Sequence, residues 1–123
     1  MTPDEFEQLV AEAVDSLPPF FLEKMQNVEI LVMERPTADM LHRTGTRQGH
    51  LLLGLYEGVP LTRRTSGYNL ITPDVIWIFQ RPLQQVAGTD LDILRERIRH
   101  TVIHEIAHHF GISDERLIEL GAY

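Results

Sequence analysis

Residues 100 to 117 read HTVIHEIAHHFGISDERL, and four of the chain's six histidines fall within positions 100 to 109. Whether that crowd is chemistry or accident depends on the backbone that carries it. Leu91, Leu94, Ile98, Val102, Ile106 and Phe110 recur at helical spacing through this region, which predicts one long helix from an N-cap at Asp90 to about Phe110. Gly111 stops it, and Ser113 or Asp114 can cap a final short helix in DERLIELGAY.

On that helix His104 and His108 are four residues apart, so they project from one face about a turn apart. They lie roughly opposite Ile106, off the apolar stripe. Glu105 stands between them and gives His-Glu-x-x-His, a spacing in which two imidazoles reach one Zn²⁺ at ~2.0–2.1 Å while the carboxylate points at the open coordination position. The pattern continues as His-Glu-x-x-His-x-x-Gly-x-x-Asp, and chance produces this longer string far less often than the five-residue core. Glycine at 111 suits a chain that must leave the helix with φ > 0 and swing a third ligand back. Asp114 supplies an oxygen donor at that point, with Glu115 and Glu119 as substitutes if Asp114 only caps the last helix. His100, one turn before His104, is expected at the surface or beside the site and not on the metal. His109 lies about 100° round from His108 and reads as packed or hydrogen-bonded structure. His42 and His50 carry no interpretable spacing.

Outward from this helix the pattern changes period. Thr2, Pro3 and Glu5 form a capping box for an N-terminal helix whose apolar face is Phe6, Leu9, Val10, Ala13, Val14 and Leu17. Pro18 and Pro19 break it, and FFLEKMQN gives a second short helical turn. VEILVME (28–34), apolar on nearly both faces, reads as a buried strand, LLLGLYEG (51–58) as a second strand and VIWIFQ (75–80) as a third. Residues 37 to 50 read as loop with room for a short helix, and VPLTRRTSGYN (59–69) as a turn or excursion. A helix, then strands, then helices is the order of an α+β fold with a small sheet of about three strands.

The 123 residues make one domain, 1–123, with 43% hydrophobic and 24% charged side chains and no cysteine. Without cysteine there is neither a disulfide nor a thiolate site, so any metal must be held by nitrogen and oxygen. Net charge is −7, from 18 acidic and 11 basic side chains, which argues against a nucleic-acid partner. Arg63–Arg64 and Arg95, Arg97 and Arg99 read as solvated, salt-bridged faces. The acidic start MTPDEFEQLV is no signal peptide and no run is apolar enough for a membrane span, so the expectation is a cytoplasmic protein without a membrane partner.

The long string resembles the zincin metallopeptidases, in the metzincin-like form with Asp in place of the usual third His. The resemblance extends over SLPPFFLEKMQNVEILVMERP, LLGLYEGVPLTRR and HEIAHHFGISDERLIELG, which together are similar to the small bacterial zincin-like metallopeptidases, or minimal zincins. It implies a compact α+β fold with His104, His108 and Asp114 on Zn²⁺ and Glu105 as catalytic base. Nine residues follow Asp114 and none is Met, so the Met-turn of metzincins has no counterpart among them.

The resemblance implies a hydrolase that cuts peptide or protein substrates with a metal-activated water, Glu105 taking the water's proton and passing it to the leaving amine. One carboxylate ligand lowers the formal site charge to +1, which shifts activity upward in pH. Tyr56, Tyr68 and Tyr123 are oxyanion stabilisers by residue type only, and VIWIFQ is the strand expected to offer its edge to a peptide. The alternative is a non-catalytic, zinc-stabilised binding module that retains the site. Glu105 argues against it, since a structural site has no use for a base and favours four protein ligands.

Overall fold

The computed structural model describes residues 1–58 and 73–122. The excursion after the second strand, with Arg63, Arg64 and Tyr68, lies outside the described residues, as does Tyr123. The first helix, α1 (Pro3–Asp15), opens on the expected capping box: the Glu5 N–H donates to Thr2 Oγ1 at 3.1 Å and the Thr2 N–H to Glu5 Oε1 at 3.4 Å. Phe6, Leu9, Val10 and Ala13 form its buried face. A short α2 (Pro19–Lys24) follows.

Among the described residues, three strands form one mixed sheet. β1 (Val28–Met33) runs parallel to β3 (Asp74–Phe79), in register from Val28–Asp74 to Met33–Phe79. β2 (Gly54–Glu57) runs antiparallel to β3, pairing Gly54 with Ile78 and Glu57 with Val75. The order is β1-β3-β2. β3 is therefore the centre of the sheet, and the expectation that VIWIFQ offers an edge is corrected. β1, expected to be buried on both faces, is an edge strand that alternates between half-buried and exposed residues over its first four positions. Ile76 and Ile78 of β3 are fully buried, since alternate residues of a strand share one face.

Between β1 and β2 lies α3 (Ala38–Arg43), capped by Thr37, whose Oγ1 accepts the Met40 N–H at 3.1 Å. Directly after β3 comes α4 (Gln80–Ala87), a helix that the sequence pattern does not announce. Pro82 occupies the first turn of α4, where a missing N–H costs nothing.

The sheet and α1 pack around α5 (Leu91–Phe110), a 20-residue helix about 30 Å long. Asp90 caps it as expected, Oδ1 accepting the N–H groups of Asp92 at 2.9 Å and Ile93 at 3.2 Å. Leu94, Ile98, Val102 and Ile106 are buried along the predicted stripe. Leu91 and Phe110, its two ends, are 53% and 43% exposed, because a helix of this length overshoots the core at both ends. Gly111 closes α5 at φ 66°, ψ 30°. The Ile112 N–H reaches Ala107 O at 2.8 Å and the Gly111 N–H reaches His108 O at 3.4 Å, the paired bonds of a Schellman motif. Ser113 then caps α6 (Asp114–Glu119), its Oγ accepting the Arg116 N–H at 3.1 Å. No described helix is long and apolar enough to cross a membrane.

Candidate metal centre

The exposed side of α5 carries the histidines. Its 3.6-residue period stacks His100, His104 and His108 in a ladder. The ring centroids of His100 and His104 are 6.1 Å apart, and those of His104 and His108 are 4.9 Å apart with 33° between the planes. Adjacent imidazoles on successive turns are the donor pair that a tetrahedral cation takes from one helix.

The ladder forms one wall of a cavity of about 710 Å³. The opposite wall is residues 52–56, the first three residues of β2 and the two that lead into it. Gly54 makes this closeness possible. A Cβ built at position 54 would stand 2.6 Å from Thr101 Cγ2, 3.1 Å from Trp77 O and 3.7 Å from Glu105 Cγ. At 2.6 Å something must shift, so any side chain at 54 would press β2 away from α5. Thr101 is itself fixed, its Oγ1 donating to Arg97 O at 2.7 Å.

Glu105 lines the cavity between the two walls and is half-buried. Burial pushes its carboxyl up from the ordinary 4.5 to about 7, since a low-dielectric setting disfavours the anion. His104 opens to the cavity, yet its surroundings hold its pKa below the usual imidazole value, chiefly by desolvation and then by the neighbouring His108 and His100, with Asp114 acting in the opposite direction. The lowered value keeps the His104 lone pair available at neutral pH, as metal ligation requires.

Asp114 opens α6 and lies near enough to His104 to act on it electrostatically. It is not spent on the helix cap, which Ser113 provides. Among the described residues, however, no three His, Asp or Glu side chains close into a group able to hold a metal ion. The structure thus brings His104, Glu105 and His108 to one cavity and leaves Asp114 outside a completed donor set. The nitrogen donors fit Zn²⁺ in type and spacing.

At the far end of the cavity Tyr56 donates its hydroxyl to Asp74 Oδ2 at 2.7 Å, and the His109 ring stacks on it with centroids 3.9 Å apart and 10° between planes. His109 Nε2 is 4.0 Å from the same carboxylate oxygen. His109 is packed structure, as its offset from His108 suggests. Tyr56 lines the cavity but its hydroxyl proton is directed at Asp74, which takes it out of the set of oxyanion donors. Sequence reasoning gives Arg97 and Gly54 no part in the site, although both line the cavity. Continuing the His104 face back two turns leads to Arg97, and a lone glycine in a strand signals close approach.

Residues 25–122 match a protein-family model described as zincin-like metallopeptidase. No curated protein matches the chain. Among solved structures, a conserved hypothetical protein from Thermus thermophilus is similar, at 21% identity and a TM-score of 0.57, covering 89% of this chain and 94% of that one. At this identity the likeness is one of fold, and it supports the small α+β architecture described above.

Proposed function

Since the chain belongs to the zincin-like metallopeptidase family, we propose that it is a single-domain zinc-dependent peptidase of the cytoplasm, with His104, His108 and Asp114 as zinc ligands and Glu105 as general base. The observation that carries this reading is that Glu105 lines the same cavity as the His104–His108 pair. When bound, zinc supplies the Lewis acidity that polarises a peptide carbonyl and makes water a nucleophile near neutral pH.

The chain's own residues do the rest. The two imidazoles are presented side by side on a rigid helix. Glu105, whose carboxyl is pushed up by burial in the metal-free chain, takes a proton from water and returns it to the leaving amine. Substrate enters between α5 and β2. No described strand pairs with the outer edge of β2, so a peptide can add there as a further strand through its backbone hydrogen bonds. That edge replaces the one assigned to VIWIFQ from sequence.

The test compares wild type with Glu105→Gln, both loaded with zinc, on a mixed peptide library read by mass spectrometry. A peptidase loses about 10²–10⁴-fold in cleavage while its zinc content stays unchanged. Equal cleavage by both proteins refutes the role of Glu105. Partner binding indifferent to the substitution, with no cleavage by wild type, favours the zinc-stabilised binding module instead.

A further inference from the structure

The cavity extends beyond the site residues in one direction, and Arg97 lines it there. At about 100° per residue, Arg97 and His104 differ by only about 20° around α5, so they share a face. Seven residues at about 1.5 Å each place Arg97 roughly 10 Å along the helix from His104, with His100 between them. The neighbouring arginines are occupied: Arg95 pairs with Glu12 at 3.1 Å and Asp92 at 3.0 Å, and Arg99 with Glu96 at 3.5 Å. Neither lines the cavity. Arg97 is exposed and makes no ion pair with any described residue. The sequence expectation that all three arginines form a salt-bridged face therefore fails at Arg97, the one of the three that turns to the groove.

We infer that Arg97, assisted by His100, is a carboxylate-binding subsite, and that the substrates are peptides bearing a carboxylate about three residues to the C-terminal side of the bond that is cut. The inference rests on the peptidase reading above for the position of that bond. An extended chain rises about 3.3 Å per residue, so about three residues span the distance from His104 to Arg97. The direction follows from β2. Its start, Gly54, adjoins Thr101 and Glu105, and Gly58 just past its end adjoins His109, so β2 runs towards the C-terminal end of α5. A peptide added antiparallel to β2, the more stable pairing, runs the other way, towards Arg97.

Guanidinium recognises carboxylate by paired, charge-assisted hydrogen bonds, and the imidazole between it and the site can donate one more. The chain as a whole carries −7, so an acidic peptide is drawn here by a local charge and not by the net one. The carboxylate can be an Asp or Glu side chain or the substrate's own C-terminus.

Three labelled alanine octapeptides separate these sources: one with Glu at its seventh position and an amidated end, one all-alanine with a free C-terminal carboxylate, and one all-alanine with an amidated end. Their affinities for zinc-loaded Glu105→Gln are read by fluorescence anisotropy, with and without Arg97→Gln. We expect at least one carboxylate peptide to bind about tenfold more tightly than the amide, the advantage vanishing in Arg97→Gln and largely returning in Arg97→Lys. The peptide that gains identifies the source. Equal binding of the three, no binding of any, or a preference that survives Arg97→Gln overturns the inference. Hydrolysis of the same peptides by zinc-loaded wild type is scored separately, so a failed peptidase reading is distinguishable from a failed subsite.

Discussion

Replacing Glu105 by Gln should change the stability of the metal-free protein by an amount that depends on pH. The carboxyl titrates near 7 in the folded chain, against an ordinary 4.5, so folding holds its proton more tightly than the unfolded chain does. Its contribution is fully present below about pH 4.5 and is lost as pH rises through 7, where the buried group must ionise. The gap between 4.5 and about 7, at about 1.36 kcal/mol per pH unit, sets a ceiling of roughly 3.4 kcal/mol. Glu105 keeps part of its surface in solvent, and screening there brings the expected effect down to about 2 kcal/mol. Glutamine has nearly the same shape and no charge, so it escapes the loss. Urea unfolding of both proteins after chelator treatment, at pH 4.5 and pH 8, measures the difference directly, since groups not coupled to Glu105 cancel between them. The Gln variant should gain about 2 kcal/mol on wild type between the two pH values. A stability difference that does not change with pH refutes the claim that this carboxyl is desolvated.

His108→Ala should abolish stoichiometric zinc binding and Asp114→Ala should weaken it substantially, both read by metal analysis after dialysis; full zinc occupancy in His108→Ala sinks the ligand assignment. Gly54→Ala places a methyl 2.6 Å from Thr101 Cγ2 and should cost ~1–3 kcal/mol in denaturant unfolding. Adding Thr101→Ser, which removes that Cγ2, should recover part of the loss, and no recovery would mean the clash lies elsewhere. Gly111→Val forces a β-branched residue to φ 66° and should cost ~1–3 kcal/mol while lowering zinc affinity through Asp114. Unfolding curves and zinc titration superimposable on wild type would show that the turn does not depend on glycine.

The helix that bears the histidines is almost completely legible in the sequence, because each of its signals is local. Asp90 reads as a cap, Gly111 as a stop, and residues four apart on a helix face the same way. The strands can be located but not ordered. VEILVM is apolar on nearly both faces and VIWIF on both, and that pattern does not distinguish an edge strand from a central one when the neighbours are unknown. The α4 helix is hidden because a proline reads as a break until its place in a first turn is seen. Within the site, the His-Glu-x-x-His spacing is legible for the same local reason as the helix. Arg97 and Gly54 are not, since their roles depend on which strand comes to lie beside α5, and that is decided by pairing across the chain.

The two walls of the groove therefore differ in folding history. The histidine ladder lies within nine consecutive residues of one helix, whereas β2 is held by pairing with β3 across the 16 residues from 58 to 73. Contacts of that span pay a loop-closure entropy that helical contacts do not. Local opening should accordingly release β2 before it melts α5, and amide exchange at Leu55 and Tyr56 should outpace exchange at Val102 and Ile106. A protein opened in this way still presents two imidazoles to a cation but has no trough for a peptide. Under mild denaturation its affinities for metal and for peptide should part company.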